Sequence, residues 1–438
     1  MEKKIKALVL GSGGREHALA KKISQSPLVE QVFLAPGNGG TAGEFRNLSV
    51  KLTDFEEIAR LILENQTLLV VIGPEQPLVD GLVDFLEEKT DPFFRLLHIV
   101  GPGKACAALE GSKAFSKQIM IEAGIPTAGS RTFFPTDRDA LAPYLKGKKP
   151  PYVIKADGLA SGKGVAICSS LEEALDFSDS ILKDNVFSAA RPSLLVEDFL
   201  SGTEVSMFLL SDGKNYMMLP EAKDYKRIFD GDKGPNTGGM GSVSPVWFVD
   251  DEFTGKVKSR IIEPLFKTLN YRGLHYKGFL FLGLMNKGGD PFVIEFNVRL
   301  GDPETQTLML RMKGDLVPPM LSLKDQNLNY HHTEISSEAV CTLVMAAENY
   351  PDNPVKGDEI RVEEGSDSEI CFAGTATECG ILKTSGGRVL SLTCSGPDLK
   401  SAREKLYKEA EKISFRGVQY RKDIGLDLME PSAEHPVP

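Results

Sequence analysis

Over its first hundred residues the chain alternates short apolar, β-competent runs with segments of helical periodicity, and this limits it to few folds. Strands are predicted over residues 5–10, 32–34, 68–72 and 98–100, with helices over 15–24, 54–64 and 76–88 between them. Such alternation predicts a parallel sheet with helices on both faces, a doubly wound domain. Its first loop, Gly11-Ser12-Gly13-Gly14-Arg15-Glu16-His17, runs from strand into helix, where unpaired helix N–H groups favour an anion. A nicotinamide dinucleotide fits poorly. Glu16 stands where the fingerprint needs its third glycine, and Leu34-Ala35-Pro36-Gly37-Asn38 offers no acid for a ribose. A phosphate or sugar phosphate suits the loop better, and a purely structural tight turn would read the same way. His17 is placed either on such a phosphate or in the packing of its own helix.

Residues 152–168, YVIKADGLASGKGVAIC, carry the next constraint. Two β-rich arms, 152–155 and 165–168, flank a loop with Gly158, Gly162 and Gly164 around Lys163. Glycines let backbone N–H groups approach a polyanion, and Lys155 and Lys163 add positive charge. A hairpin that closes over nucleotide phosphates fits this pattern. A Walker loop does not, because three residues separate Gly158 from Gly162 and a strand follows where a helix is needed. An ordinary glycine-rich hairpin would be the simpler reading if the segment stood alone.

Residues 293–306, VIEFNVRLGDPETQ, accompany it. A strand over 292–297 puts Glu295 and Asn297 on one face, since side chains alternate. A carboxylate beside a carboxamide oxygen suits Mg²⁺, which takes few protein ligands and shares the rest with phosphate and water. Apolar Val293, Ile294 and Phe296 argue for burial, and a buried acid without a partner is costly. Arg299, Asp302 and Glu304 follow directly.

At 438 residues the chain is long enough for more than one domain, and a net charge of −10 argues against a general nucleic-acid surface. The six cysteines form no CxxC pair, and Cys371, Cys379 and Cys394 match no common zinc spacing; reduced buried thiols are expected. No apolar run approaches membrane-spanning length, and the opening MEKKIKALVLGSGG reads as a first strand rather than a signal peptide. A cytoplasmic protein is expected.

The predicted organisation is α/β and α+β in several domains. An N-terminal parallel-sheet domain covers 1–103, a central domain 104–327 with a mobile lid at about 124–192, and a small C-terminal α+β domain 328–428; 429–438 form a disordered tail. The polar, glycine-rich stretch 222–245 is long for a connection inside a compact domain, which points to function. Trp247 and Phe279 to Phe281 are assigned to the core, His98 to a strand edge, and His331 with His332 to a solvated linker.

Taken in order, GSGGREHALA, APGNGGTA, VIGPEQPLVDG, LEGSKAFSK, IKADGLASGKGV, GPNTGGMGSVSP, RLGDPETQ, FAGT, GGRVL and YRKDIG resemble the phosphoribosylamine–glycine ligase (glycinamide ribonucleotide synthetase) family of the ATP-grasp superfamily. The resemblance runs from Leu8 to Gly425. Each motif is weak alone; their ordered succession is specific. It implies a central ATP-grasp domain and ligation of glycine to 5-phosphoribosylamine with ATP, giving glycinamide ribonucleotide, ADP and phosphate through a glycyl phosphate. It further implies Mg²⁺ or Mn²⁺, small-molecule partners without nucleic acid or membrane, and a monomer or weak homodimer.

Residue roles follow from the same resemblance. Lys113, Lys155 and Lys163 are similar to lysines on the ATP phosphates, with Ser161, Gly162 and Gly164 in the lid. Glu197 and Phe199 look like the adenine-holding segment, Glu204 like the ribose acid, and Glu295 with Asn297 like the metal ligands. Arg299, with Lys155 and Lys163, would stabilise charge on the transferring group. Gly13, Gly14, Arg15, Glu16, Glu75, Asp224, Lys226, Arg227, Gly238, Gly239, Met240, Arg299, Asp302 and Glu304 would surround the other substrates. Departures from the family pattern are Lys223 in place of Gln, Leu300 in place of Phe, and the turn at Ala347 to Pro351. The predicted strand over 278–285 carries no additional metal-binding acid, so the number of ions stays open. The rival readings are another ATP-grasp ligase or carboxylase, a non-catalytic nucleotide-binding protein that would have lost some of Lys155, Lys163, Glu295, Asn297 and Arg299, and an NAD-dependent oxidoreductase.

Overall fold

The computed structural model describes residues 4–159, 164–187 and 192–429. Five parallel strands make the N-terminal sheet, in the order Arg46–Asn47, Val29–Pro36, Ile5–Gly11, Thr67–Ile72 and His98–Val100. Its strands are apolar on both faces because both are covered. Leu8, Leu10, Val70 and Ile72 enter one core with Ile58 and Ile62 of the helix Phe55–Asn65. Ala7, Val9, Leu69 and Val71 enter a second with Leu19 and Ile23 of the helix Gly14–Ser24. The single helix predicted over 76–88 is instead two, Glu75–Asp80 and Leu82–Glu87. Gly81 separates them with φ of 99°, a left-handed conformation that glycine adopts without a Cβ clash.

A four-stranded antiparallel sheet lies against this unit, ordered Tyr216–Met218, Thr203–Asp212, Lys277–Lys287 and Asp290–Asn297. Alternation along its long strands feeds the same two cores. Val205, Met207, Leu282 and Leu284 join the first, while Phe208, Leu210, Phe279 and Phe281 join the second. The N-terminal and central sheets are therefore one packed body. A smaller sheet, Ser130–Phe133, Leu194–Glu197, Tyr152–Ala156 and Val165–Cys168, carries a separate core built on Phe133, Leu145, Ile154 and Leu194.

The last sheet runs Lys223–Asp224, Gly241–Ser244, Ala339–Ala346, Arg388–Gly396 and Glu369–Phe372, with the helix Leu399–Ala410 packed on it. Its first two strands come from the glycine-rich stretch 222–245, so this sheet spans the predicted division at 327/328. The helix Glu304–Arg311 is stitched to it by buried hydroxyls. Thr307 meets Ser242, Thr307 Oγ1 lies 2.7 Å from Thr342 Oγ1, and Thr342 lies 3.0 Å from Thr393 Oγ1.

His17 binds the two ends of the chain together rather than standing free for a phosphate. It is buried, its Nδ1 accepts the Phe372 N–H at 2.9 Å, and its Nε2 faces Glu44 at 3.2 Å. Burial lowers its pKa, so the neutral ring persists. His98 is half-buried on its edge strand, with Nδ1 2.8 Å from the Leu321 carbonyl. Five of the cysteines are buried and free, and Cys379 is exposed. Among the described residues no helix is long and apolar enough to cross a membrane. The helix Leu426–Met429 includes the first residue of the expected tail; 430–438 lie outside the described residues.

Thr342 is the central link of the hydroxyl chain, and Thr342→Val should leave Thr307 and Thr393 short of partners at nearly constant volume. A loss of about 1–3 kcal/mol is expected in equilibrium urea unfolding, because an unsatisfied buried hydroxyl costs its desolvation. An unchanged midpoint would show that the chain contributes nothing.

Candidate active site

The N-terminal unit, the central sheet, the small sheet and the C-terminal sheet enclose one cleft of about 1050 Å³. Its floor is the strand Asp290–Asn297. Glu295 and Asn297 share a face, as the period-two pattern requires, and Asn297 Nδ2 donates to Glu295 Oε1 at 3.4 Å. Burial would raise the Glu295 pKa, but Lys226, Lys155 and Lys113 together hold it below the ordinary carboxylate value. Among the described residues no group of three His, Cys, Asp or Glu side chains forms a metal cage. The Glu295 carboxylate with the adjacent Asn297 carboxamide oxygen fits a hard divalent ion that takes its remaining ligands from phosphate and water.

Arg299 projects just beyond. Its guanidinium donates to Glu75 at 3.1 Å, Glu110 at 2.8 Å and Asn297 Oδ1 at 3.1 Å. Glu110 also accepts the Val298 N–H at 2.7 Å, and burial pushes its carboxyl up to about 7 despite Arg299. Glu110 was not singled out from the sequence, although it lies inside the LEGSKAFSK motif.

At one end of the cleft three lysines converge. Lys113 Nζ donates to the Gly158 carbonyl at 2.9 Å, and Lys155 pairs with Glu197 at 2.7 Å. Lys117 pairs with the other Glu197 oxygen at 3.0 Å and was also missed. Its signal was available: it sits four residues after Lys113 on the helix Lys113–Glu122, so both occupy one face. Glu197, read as part of an adenine-holding segment, uses its carboxylate to hold these lysines. Gly158, Gly164, Ile167, Phe199 and Leu200 line the same end. Trp247, assigned to the core, is instead 38% exposed and lines the cleft with Phe248. Phe279 and Phe281 are buried as expected. Ser161, Gly162 and Lys163 lie outside the described residues.

A second charge cluster gathers Glu204, Asp224, Lys226 and Glu304. Lys226 Nζ lies 2.8 Å from Glu204 and 3.8 Å from Asp224. Burial would lower Lys226, but Asp224, Glu204 and Glu295 raise it well above the ordinary lysine value. Burial pushes the Glu304 carboxyl up to about 7, and the nearby Asp224 carboxylate adds to that. Lys223 also lines the cleft, where it pairs with Asp427 of the C-terminal segment and lies 5.0 Å from the Tyr225 ring centroid.

The far end is built by Asp302. Arg388 donates to Asp302 Oδ2 at 3.1 Å and to the Gly238 carbonyl at 2.7 Å, and Gln306 donates to Asp302 Oδ1 at 2.9 Å. Arg388 is a further cleft residue that sequence reading missed, although GGRVL contains it. Gly13, Gly14, Glu16, Gly239 and Met240 sit behind the lining. A Cβ on Gly239, whose φ is 115°, would come within 2.6 Å of Pro303, so glycine is required there, whereas one on Gly14 would meet the tip of the Gln306 side chain at 2.5 Å. Glu16 folds back onto its own helix start and accepts the Gly13 N–H at 2.7 Å and Arg15 Nε at 2.6 Å. The anion niche predicted there thus holds an internal carboxylate, while Arg15 faces the cleft and donates to the Leu300 carbonyl at 3.1 Å. Met240 is fully buried against Ile228 and Ala346.

Three family models match in succession along the chain: phosphoribosylglycinamide synthetase N domain over 5–110, ATP-grasp (A) domain over 111–305, and C domain over 340–427. The phosphoribosylamine–glycine ligase of Ralstonia nicotianae is 44% identical over 424 residues, covering 96% of this chain and 99% of that protein. The chain belongs to the phosphoribosylamine–glycine ligase family. Another member, from Haemophilus influenzae, is 42% identical and covers 97% of this chain and 98% of that one. The crystal structure of the Thermotoga maritima phosphoribosylamine–glycine ligase superimposes with a TM-score of 0.83 at 35% identity, covering 96% of this chain and all of that one. A biotin carboxylase from Campylobacter jejuni shares the fold at a TM-score of 0.71 and 13% identity, covering 98% of this chain and 96% of that one.

Glu304 generates a pH prediction. In the folded state it keeps its proton up to about pH 7, whereas the unfolded carboxyl releases it near 4.5. Stability therefore falls as pH rises through that window, at up to about 1.4 kcal/mol per unit. Glu304→Gln removes the penalty. In thermal melts the wild-type Tm should fall relative to the variant across the window and run parallel to it above. A constant offset at every pH would sink this assignment.

Proposed function

We infer that this chain ligates glycine to 5-phosphoribosylamine with ATP, producing glycinamide ribonucleotide, ADP and phosphate in purine biosynthesis. The observation that carries the reading is that all three family-matched segments contribute charge to one cleft. Arg15 and Glu75 come from the first, Lys113, Lys155, Glu295 and Arg299 from the second, and Arg388 from the third.

A carboxylate is a poor acyl donor, so its oxygen first attacks the γ-phosphorus of ATP and the bond to the β-phosphate oxygen breaks, releasing ADP. The ribosylamine nitrogen then attacks the carbonyl carbon of the glycyl phosphate, loses a proton, and phosphate departs. Both steps depend on alignment and on neutralising negative charge rather than on a protein nucleophile. Lys113, Lys155 and Lys163 are proposed on the ATP phosphates, with Ser161, Gly162 and Gly164 in a lid that moves over them. The separate core of the small sheet supports such motion. The apolar wall with Ile167, Phe199 and Leu200 suits a purine ring, and Glu204 a ribose hydroxyl. Glu295 and Asn297 would hold Mg²⁺ or Mn²⁺, whose charge when bound offsets that of the phosphates.

Arg299, braced by two carboxylates, is proposed to face the transferring phosphoryl group. Asp224, Lys226 and Glu304 are proposed around glycine. Arg15, Arg227, Gly238, Asp302 and Arg388 are proposed around the phosphoribosyl group, with Gly13, Gly14, Glu16, Gly239 and Met240 supporting them from behind. Working units of 1–103, 104–327 and 328–428, action in the cytoplasm, and a monomer or weak homodimer complete the proposal.

The direct test is ADP release from the purified protein with ATP, Mg²⁺, glycine and freshly generated phosphoribosylamine, omitting each in turn. Product formation is expected only with the full set, with glycinamide ribonucleotide detected by mass. ADP release independent of phosphoribosylamine, or with a different carboxylate only, would assign the cleft to another ATP-grasp reaction. In the same assay Glu295→Gln should lower kcat on the order of a hundredfold or more, since charge aimed at the reacting centre is lost. Its unfolding free energy should shift by about 1 kcal/mol or less. Wild-type turnover with unchanged Mg²⁺ dependence would remove Glu295 from the metal site.

A further inference from the structure

The strands Arg227–Phe229 and Lys233–Asn236 form a hairpin that, among the described residues, joins no larger sheet. A lone two-stranded hairpin is marginal in water, and this one has little apolar support. Ile228 reaches the small core with Met240 and Ala346, but Phe229 is 56% exposed. Yet Arg227, Asp232 and Asn236 of this hairpin line the cleft, and its second strand leads into Thr237 and Gly238, next to Arg388. Something else must hold it in place.

That role falls to Arg421, which the cleft does not include. Its side chain is only 1% exposed, although it lies in the hydrophilic segment YRKD. Nε and Nη2 donate to the two oxygens of Asp423, each at 2.7 Å, in a bidentate fork. Nη1 donates to Asp232 Oδ1 at 2.7 Å and to the Arg227 carbonyl at 3.2 Å, one contact at the hairpin turn and one at its base. The guanidinium carbon lies 5.2 Å from the Tyr225 ring centroid. The clasp is closed from the other side as well: the Gly231 N–H donates to Asp423 Oδ2 at 2.8 Å, and the Lys422 N–H to Asp230 Oδ1 at 2.8 Å.

We propose that Arg421 is a positioning residue, which through Asp423 and Asp232 locks the hairpin so that Arg227 and the following Gly238 loop meet the phosphoribosyl substrate. The kinetic part rests on the function proposed above; the clasp itself does not. No other cation could replace it unchanged, because lysine lacks the planar fork that engages Asp423, Asp232 and the Arg227 carbonyl together.

The test uses the full chain with Arg421→Met, Arg421→Lys and Asp423→Asn. Arg421→Met should raise KM for phosphoribosylamine about tenfold to a hundredfold, the scale on which misplaced binding groups act. The KM for ATP and kcat at saturation should change far less. Arg421→Lys should fall between wild type and Arg421→Met. Hydrogen exchange at the amides of residues 227–236 should accelerate in all three, while the helix Leu399–Ala410 keeps its protection. If Arg421→Met does not fold, Asp423→Asn decides. An unchanged KM together with unchanged exchange overturns the proposal, as does a uniform loss of kcat, every KM and protection throughout the chain. Should the wild type fail to use phosphoribosylamine, the functional reading falls, and the exchange measurement alone then decides whether the clasp exists.

Discussion

Arg299 is the fixed point of this molecule. Removing a guanidinium from water costs several kcal/mol unless opposite charges and hydrogen bonds replace the solvent. Here the replacement comes from two directions: Glu75 opens a helix of the N-terminal unit, and Glu110 lies in the last turn of the helix Lys104–Gly111. Because Arg299 follows the floor strand within two residues of Asn297, this pairing sets the N-terminal sheet against the strand that carries Glu295. The shared apolar cores make the body rigid, but they are non-directional. The arginine fixes which residues face one another across the cleft.

A consequence is that the cleft holds few unmatched charges. Lys155 and Lys117 share Glu197, Lys226 is held by Glu204 and Asp224, and Arg388 is held by Asp302. Unpaired cations at such density would repel one another and destabilise the fold. Binding a polyphosphate is then an exchange of partners rather than the filling of an empty positive hole. Specificity should depend on how well a ligand's charges match those of the acids it displaces, since any left unpaired in the closed cleft would be costly. Glu16 is the limiting case, a carboxylate from the chain itself placed permanently at a helix start.

What was legible in the sequence is what depends on neighbours along the chain. Alternation gave the strands and their two-sided burial, and the Glu295–Asn297 spacing placed both side chains on one face. The hairpin arms at Tyr152–Ala156 and Val165–Cys168 were readable for the same reason. Lys117 was within reach of the same logic through its helical spacing from Lys113. Arg388, Arg421 and Glu110 were not, because their importance lies in partners far along the chain: Arg388 meets Asp302 across 86 residues, and Arg421 meets Asp232 across 189. Nothing in the local composition of GGRVL or YRKD distinguishes a surface arginine from a buried one. Trp247 failed in the opposite direction. A large aromatic is usually core, and only the tertiary fold reveals that this one borders a cleft.

The division of cores also bears on which parts can move. The N-terminal and central sheets cannot separate without tearing two continuous apolar cores, and the C-terminal sheet borrows two strands from the middle of the chain. The small sheet shares no such core. Polar contacts join it to the rest: Lys117 on Glu197, Lys155 on the Ile294 carbonyl at 3.2 Å, and Lys113 on the Gly158 carbonyl. Lys155 and Lys113 are among the lysines proposed to meet the phosphates. Nucleotide binding would therefore act on the very bonds that set the small sheet's position, and the proposed lid would be coupled to occupancy of the cleft through the same few side chains.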